Sequence, residues 1–261
     1  MRTVALVTGG SSGIGRETVK ALETAGCKVY SLSRRPLERG NHICADVTDE
    51  TEVQAAVATI LEETGRIDLV INCAGFGISG AVEFTELSEA KRQFDVNFFG
   101  MVNVNKAVIP LMREAGRGRI VNISSVAAPV PIPFQTYYSA CKAAVNSYTL
   151  ATANELRPYG VSVCAVMPGD IATGFTDARA KSVEGDDVYG GRISRSVSVM
   201  EKDERGGMAA SSAGRFIARI ALKKNVKPLY AIGLQYKAVC FLIKILPASL
   251  ANRIVGLIYA K

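Results

Sequence analysis

The feature that most constrains the fold is the opening of the chain. A short apolar, β-branched run from Thr3 to Thr8 (TVALVT) passes directly into TGGSSGIG at residues 8–15, and a helical pattern follows from Arg16 to Ala25. A strand, a glycine-rich turn and a helix in succession form the first unit of a doubly wound, nucleotide-binding α/β fold. Gly9, Gly13 and Gly15 permit a tight turn and let the backbone approach a diphosphate. The helix behind them presents unpaired N–H groups and the positive end of its dipole. The spacing is G-x-x-x-G-x-G rather than the commoner G-x-G-x-x-G, and taken alone it also suits a plain glycine-rich turn.

The alternation then repeats. Further strands are expected at Lys28 to Leu32, His42 to Ala45, Asp68 to Cys73, Arg119 to Ser124, Val161 to Met167 and Pro228 to Ile232. Helical patterns lie between them, at residues 50–64, at Glu86 to Met112 (one long helix or a pair) and at Ser211 to Leu222. The expectation is a Rossmann-like, doubly wound parallel sheet of about seven strands in one domain spanning residues 1–261. A chain of 261 residues that is 48% hydrophobic can bury such a core. Residues 174–207 are polar and weakly periodic, which reads as a substrate lid or a disordered loop.

Several classes are excluded by composition. MRTVALVTGG meets glycines too soon for a signal peptide or a spanning helix. The six cysteines form no C-x-x-C pair and His42 is the sole histidine, so neither a zinc site nor a His-based triad is expected. Scattered thiols of this kind suit a reduced, cytoplasmic enzyme. No nucleic-acid partner is expected. The net charge of +7 is concentrated in the last quarter, since residues 205–261 hold ten Lys/Arg and no Asp/Glu.

Cofactor chemistry is legible at the strand ends. The second strand ends in Ser33-Arg34-Arg35, with no carboxylate for a ribose 2′-hydroxyl and two guanidiniums able to grip a 2′-phosphate. This favours NADP over NAD; a solvated basic turn is the competing reading. Asp46, followed by Val47, is placed to accept from an adenine amino group, or equally to cap a helix starting near Asp49. Cys73-Ala74-Gly75 are small enough for a cofactor to lie close to the fourth strand. Asn97, between apolar neighbours, must find hydrogen-bond partners.

The reactive constellation is SSVAAPVPIPFQTYYSACK at residues 124–142. Ser125 stands at a strand's carboxyl end, where open α/β sheets bind ligands. Pro129, Pro131 and Pro133 stiffen the connection to Tyr138 and Lys142, which share a helix face at i, i+4 spacing. An ammonium beside a phenol favours phenolate and is expected to bring its pKa down towards neutral. Ser125 would hold a carbonyl oxygen while Tyr138 protonates it.

Together these residues resemble the short-chain dehydrogenase/reductase family over nearly the whole chain. TGGSSGIG, Asp46, NCAG (72–75) and PGDIAT (168–173) match its cofactor motifs, and Asn97, Ser125, Tyr138 and Lys142 fall on its four catalytic positions. The resemblance implies NADP(H) contacts from Gly9, Ser11, Ser12, Gly13, Ile14, Gly15, Arg34, Arg35, Asp46, Val47, Ala74, Gly75, Tyr138, Lys142, Pro168, Gly169, Ile171 and Thr173. It implies that Tyr138 is the general acid or base, that Lys142 lowers its pKa, that Ser125 binds the oxyanion, and that Asn97 holds a water in a proton relay. Cys73 replaces the second Asn of the usual NNAG, so that contact is not carried over.

The long apolar tail resembles the branch acting on steroids, retinoids and sphingoid bases. The expected reaction is hydride transfer between NADP(H) and a ketone or secondary alcohol of a lipophilic substrate. A 3-oxoacyl-carrier-protein reductase and a catalytically silent cofactor-binding regulator are the alternatives. Phe76, Phe134, Tyr137 and Phe175 are candidates for an apolar substrate wall or for ordinary core. A homodimer or homotetramer is implied by the family. The apolar-basic tail, residues 234–261, reads as a cover over the cleft, as a subunit interface, or as a peripheral membrane contact.

Overall fold

The computed structural model describes residues 2–37 and 40–260; Met1 and Lys261, the last of the tail's basic residues, lie outside them. Seven parallel strands form the central sheet: β1 (Val4–Thr8), β2 (Lys28–Ser33), β3 (Asn41–Cys44), β4 (Leu69–Asn72), β5 (Gly118–Ile123), β6 (Val161–Met167) and β7 (Leu229–Ala231). Their spatial order is β7-β6-β5-β4-β1-β2-β3. All five residues of β1 and all four of β4 are buried, because helices cover both faces of the sheet. This explains why these strands read as continuous apolar runs rather than alternating ones.

The helices are α1 (Gly13–Thr24), α2 (Glu50–Thr64), α3 (Leu87–Phe94), α4 (Gly100–Glu114), α5 (Thr136–Leu156), α6 (Arg192–Arg205), α7 (Ala210–Leu222), α8 (Leu234–Ile245) and α9 (Ala248–Tyr259). One apolar cluster packs α2 and α4 against one face of the sheet through Val53, Ile60, Val104 and Val108. A second packs α1 and α7 against the other through Leu22, Ala213 and Ile217. Helix α1 begins at Gly13, three residues before the expected Arg16, so the glycine turn itself supplies the first helical turn. Asp49 caps α2, accepting from the N–H groups of Thr51 and Glu52 at 2.8 and 3.0 Å. That decides against Asp46 as the cap.

The register sets the site. Thr8 pairs with Leu32 and with Asn72, and Asn72 with Asn122, so β1, β2, β4 and β5 end level along one edge. Sheet order changes direction between β1 and β4, and that crevice is where doubly wound folds bind ligands. Buried amides tie the neighbouring helices to it. Asn72 donates to Asn105 on α4 and to Asn122, each at 2.9 Å, and Asn122 donates to Thr149 on α5 at 2.9 Å.

Residues 174–207 carry helical structure. They hold a single helical turn at Phe175–Ala178 and the fourteen-residue α6. Among the described residues no helix is long and apolar enough to cross a membrane.

Candidate active site

The glycine turn makes a cradle of bare backbone. Gly9 has φ +66°, and a Cβ there would lie 2.9 Å from the Ala74 backbone; one on Gly15 would lie 2.3 Å from the Gly9 carbonyl oxygen. Side chains at either position would force the turn away from β4 or from itself. Ser12 precedes α1 without capping it through its side chain, and no acidic residue occupies the first turn. The amino end of α1 therefore keeps its attraction for an anion. The donor set and the free backbone fit a dinucleotide diphosphate.

A cleft of about 1530 Å³ runs from this cradle along the sheet edge. All eighteen residues expected to contact the cofactor line it, from Gly9 through Arg34, Arg35, Asp46 and Val47 to Pro168, Gly169, Ile171 and Thr173. Asp46 is shared between two tasks. One oxygen accepts from the Thr48 N–H and hydroxyl at 3.0 and 2.9 Å, and the other faces the Arg34 guanidinium at 3.8 Å. Arg34 and Arg35 are exposed at the cleft's end.

Asn97, Ser125, Tyr138 and Lys142 meet in the same cleft. Asn97 lies in a π-helical turn, Asp95–Phe99, between α3 and α4. Its amide answers both backbone groups of Phe76, accepting from the N–H at 2.9 Å and donating to the carbonyl at 2.7 Å. The buried Asn thus finds its partners and fixes the chain beyond β4. Ser125 follows β5, and its hydroxyl oxygen accepts the Ala127 N–H at 3.1 Å, leaving the hydroxyl proton to donate.

Tyr138 and Lys142 share one face of α5 as their spacing requires. Lys142 is buried, donates to the Ile123 carbonyl at 2.9 Å, and stands 5.7 Å from the Tyr138 ring centroid. On the other side Tyr138 packs on Phe175 at 5.9 Å, and the Arg179 guanidinium lies 5.7 Å from the Phe175 ring. The result is a column of cation, ring, ring and cation. Arg179 is ion-paired with Glu204 of α6.

Burial of Tyr138 acts against the expected descent of its pKa. Burial pushes the phenol up to about 12, against the lowering influence of the Ser125 hydroxyl and the Arg179 guanidinium. Lys142 contacts the ring and spends a proton on Ile123, and its own pKa is lowered by desolvation. Cys73 lines the cleft but is held as a neutral thiol, burial pushing it up to about 12.

Two of the proposed wall aromatics, Phe76 and Phe175, line the cleft; Phe134 does not. Phe134 adopts φ 60°, an unusual conformation outside glycine, which turns its ring into a cluster with Ile193, Val197 and Met200 of α6. Tyr137 faces away, its hydroxyl 3.4 Å from the Val82 carbonyl. The apolar wall comes instead from the tail: Val239, Leu242, Ile243 and Leu246 of α8 and its exit, with Ile254, Val255 and Ile258 of α9. Tyr236 anchors the tail by bonding to the Asp170 carboxylate and accepting its backbone N–H at 3.1 Å. Sequence reasoning left open whether the tail covers the cleft, because that contact joins residues more than sixty positions apart.

The pattern of the short chain dehydrogenase family matches residues 3–184. A 3-ketodihydrosphingosine reductase of Bacteroides thetaiotaomicron is 43% identical over 227 residues, covering 85% of this chain and 84% of the relative. The crystal structure of a short-chain dehydrogenase from Streptomyces avermitilis superposes with a TM-score of 0.84 at 29% identity, over 98% of this chain and 96% of that one. ElxO with NADP bound superposes with a TM-score of 0.76 at 25% identity, over 91% of this chain and all of the other.

Proposed function

This chain belongs to the short-chain dehydrogenase/reductase family, and from that premise we propose that it reduces the ketone of a lipophilic, sphingoid-like substrate with NADPH, or runs the reverse oxidation. The observation that carries this reading is the meeting of Ser125, Tyr138 and Lys142 in a cleft whose far wall is built from the apolar side chains of α8 and α9. The relatedness to a 3-ketodihydrosphingosine reductase and the likeness to an NADP-bound fold support it.

The cofactor is NADP(H), which when bound would supply or take up the hydride. Gly9, Ser11, Ser12, Gly13, Ile14 and Gly15 would hold its diphosphate, and Arg34 and Arg35 its 2′-phosphate. Asp46 and Val47 would meet the adenine, and Ala74 and Gly75 leave room beside β4. Pro168, Gly169, Ile171 and Thr173 would hold the nicotinamide end. Ser125 donates to the substrate oxygen as negative charge develops, and Tyr138 delivers the proton. A phenol held near 12 is protonated at neutral pH, which is the form that reduction needs. Lys142 orients Tyr138 and would bind the cofactor's ribose. Asn97 fixes the Phe76 backbone and stands at the head of a proton path. Phe76 and Phe175 touch the substrate, and residues 174–207 act as its lid. The enzyme is cytoplasmic and works as a homodimer or homotetramer.

Cofactor choice provides the test. Wild type is expected to show a KM for NADPH at least about tenfold below that for NADH, since a charge-assisted phosphate contact is worth roughly 1.5–3 kcal/mol. Arg34→Asp should erase or reverse that ratio in steady-state assays. Equal use of both cofactors by wild type would contradict the assignment.

A further inference from the structure

Helices α8 and α9 are apolar on nearly all sides, which is unusual for helices at a protein surface. Of the residues in α8 only Cys240 is buried, and in α9 only Ala251 and Val255. Leu234 is 84% exposed, Phe241 63% and Ile245 61%; their spacing of seven and four puts them on one outward stripe of α8. Leu250 and Leu257 make a second outward pair on α9. Lys237, Lys244 and Arg253 flank these stripes in the open. Each helix has twelve residues, about 18 Å at about 1.5 Å per residue, far short of the ~30 Å hydrocarbon core. Such a pair can lie in a membrane interface but cannot cross it.

The same two helices also contribute to the cleft. Val239, Leu242, Ile254 and Ile258 line the cleft and yet are each more than a third exposed. One set of side chains therefore belongs both to the substrate wall and to the outer surface. The cleft's apolar lining on α8 and α9 thus reaches the protein surface.

Charge selects the occupant. Residues 205–261 contain no carboxylate side chain. A second copy joined by two-fold symmetry through this face would set Lys237, Lys244 and Arg253 against their own counterparts, with no acid from the segment to neutralise them. Anionic lipid offers what the face lacks: phosphates for the basic flanks and acyl chains for the stripes.

We propose that helices α8 and α9 rest on an anionic bilayer surface and that the edge of the cleft lined by their exposed apolar side chains is a portal through which the lipophilic ketone passes from the bilayer into the cleft without crossing water. The portal rests on the reading of the cleft as a lipid-ketone site, whereas the docking face does not.

The experiment uses full-length protein, vesicles of phosphatidylcholine with and without phosphatidylglycerol, a long-chain ketone dissolved in those vesicles, and a short water-soluble ketone. Phe241 and Ile245 do not line the cleft, so the double variant Phe241→Ser/Ile245→Ser tests the docking face alone. Wild type is expected to sediment with anionic vesicles at low salt and to be released at about 0.5 M salt, where the Debye length falls to a few Å. The double variant should stay in the supernatant. It should lose about tenfold or more of kcat/KM on the vesicle-borne ketone, and keep wild-type kinetics on the soluble one. Lys237→Glu/Lys244→Glu should weaken sedimentation likewise. Wild type remaining in the supernatant at low salt would overturn docking. Docking without selective loss on the vesicle-borne ketone would overturn the portal. A drop in solution mass of the serine variant would assign the face to a second copy and overturn both. Vesicle binding with no NADPH-dependent reduction of either ketone would instead sink the lipid-ketone reading, and the portal with it.

Discussion

Tyr138→Phe is expected to lower kcat for ketone reduction by about three orders of magnitude while changing NADPH affinity by less than about threefold, because it removes one proton donor and nothing else. The ring remains to pack between Lys142 and Phe175, at 5.7 and 5.9 Å, so the column and the fold should survive. Tyr137→Phe is the control. Its hydroxyl points to the Val82 carbonyl, away from the cleft, and its loss should leave kcat within about twofold. Activity surviving in the first variant but not in the second would move the catalytic register by one residue. The raised phenol pKa adds a directional expectation. Reduction needs the protonated form and should stay level between about pH 6 and about pH 9; oxidation needs phenolate and should climb across that range without a plateau. An oxidation rate that levels off near neutrality would mean that the phenol titrates far below about 12 in the working enzyme.

Ser125→Ala is expected to cost about a hundredfold to a thousandfold in kcat, roughly 2.7–4 kcal/mol, as the loss of one preorganised oxyanion donor does. The Ala127 N–H fixes the serine oxygen, so the hydroxyl proton, which faces the Tyr138 phenol, can turn to the substrate oxygen. Ser125→Thr should restore much of the rate, since it keeps a hydroxyl at the same carbon. Single-turnover kinetics with saturating NADPH would check both. A rate for Ser125→Ala within about threefold of wild type would assign the oxyanion to another donor.

The sheet was legible in the sequence because each central strand is buried on both faces, as in β1 and β4, and so reads as an unbroken apolar run. The cofactor cradle was legible because only glycine tolerates the contacts at Gly9 and Gly15. Other parts were hidden for physical reasons. Helix α6 buries Ile193, Val197 and Met200 at helical spacing, but the Arg and Ser residues between them and the charged run after them dilute that signal into what reads as a loop. The direction of the Phe134 ring follows from its positive φ, which no neighbouring residue type announces outside glycine. Arg179 entered no motif, yet it lies beneath Phe175 and paired with Glu204 because the single turn at Phe175–Ala178 folds back over the cleft. The pKa of Tyr138 depends on how much water the packed cleft excludes, a quantity set by elements distant in sequence. The spacing from Tyr138 to Lys142 placed the two groups correctly but could not reveal that the ammonium bonds to Ile123.

The central claim, NADPH-dependent reduction of a lipophilic ketone, is tested most directly by following NADPH consumption across ketones of one head group and increasing alkyl chain length. Each methylene buried against the wall of Leu242, Ile254 and Ile258 should contribute about 0.8 kcal/mol, so four added methylenes should raise kcat/KM about two-hundredfold until the cleft is filled. That rise, with NADPH and abolished in Tyr138→Phe, is the predicted result. Tight NADPH binding with no turnover of any ketone, or turnover indifferent to chain length, would contradict the account.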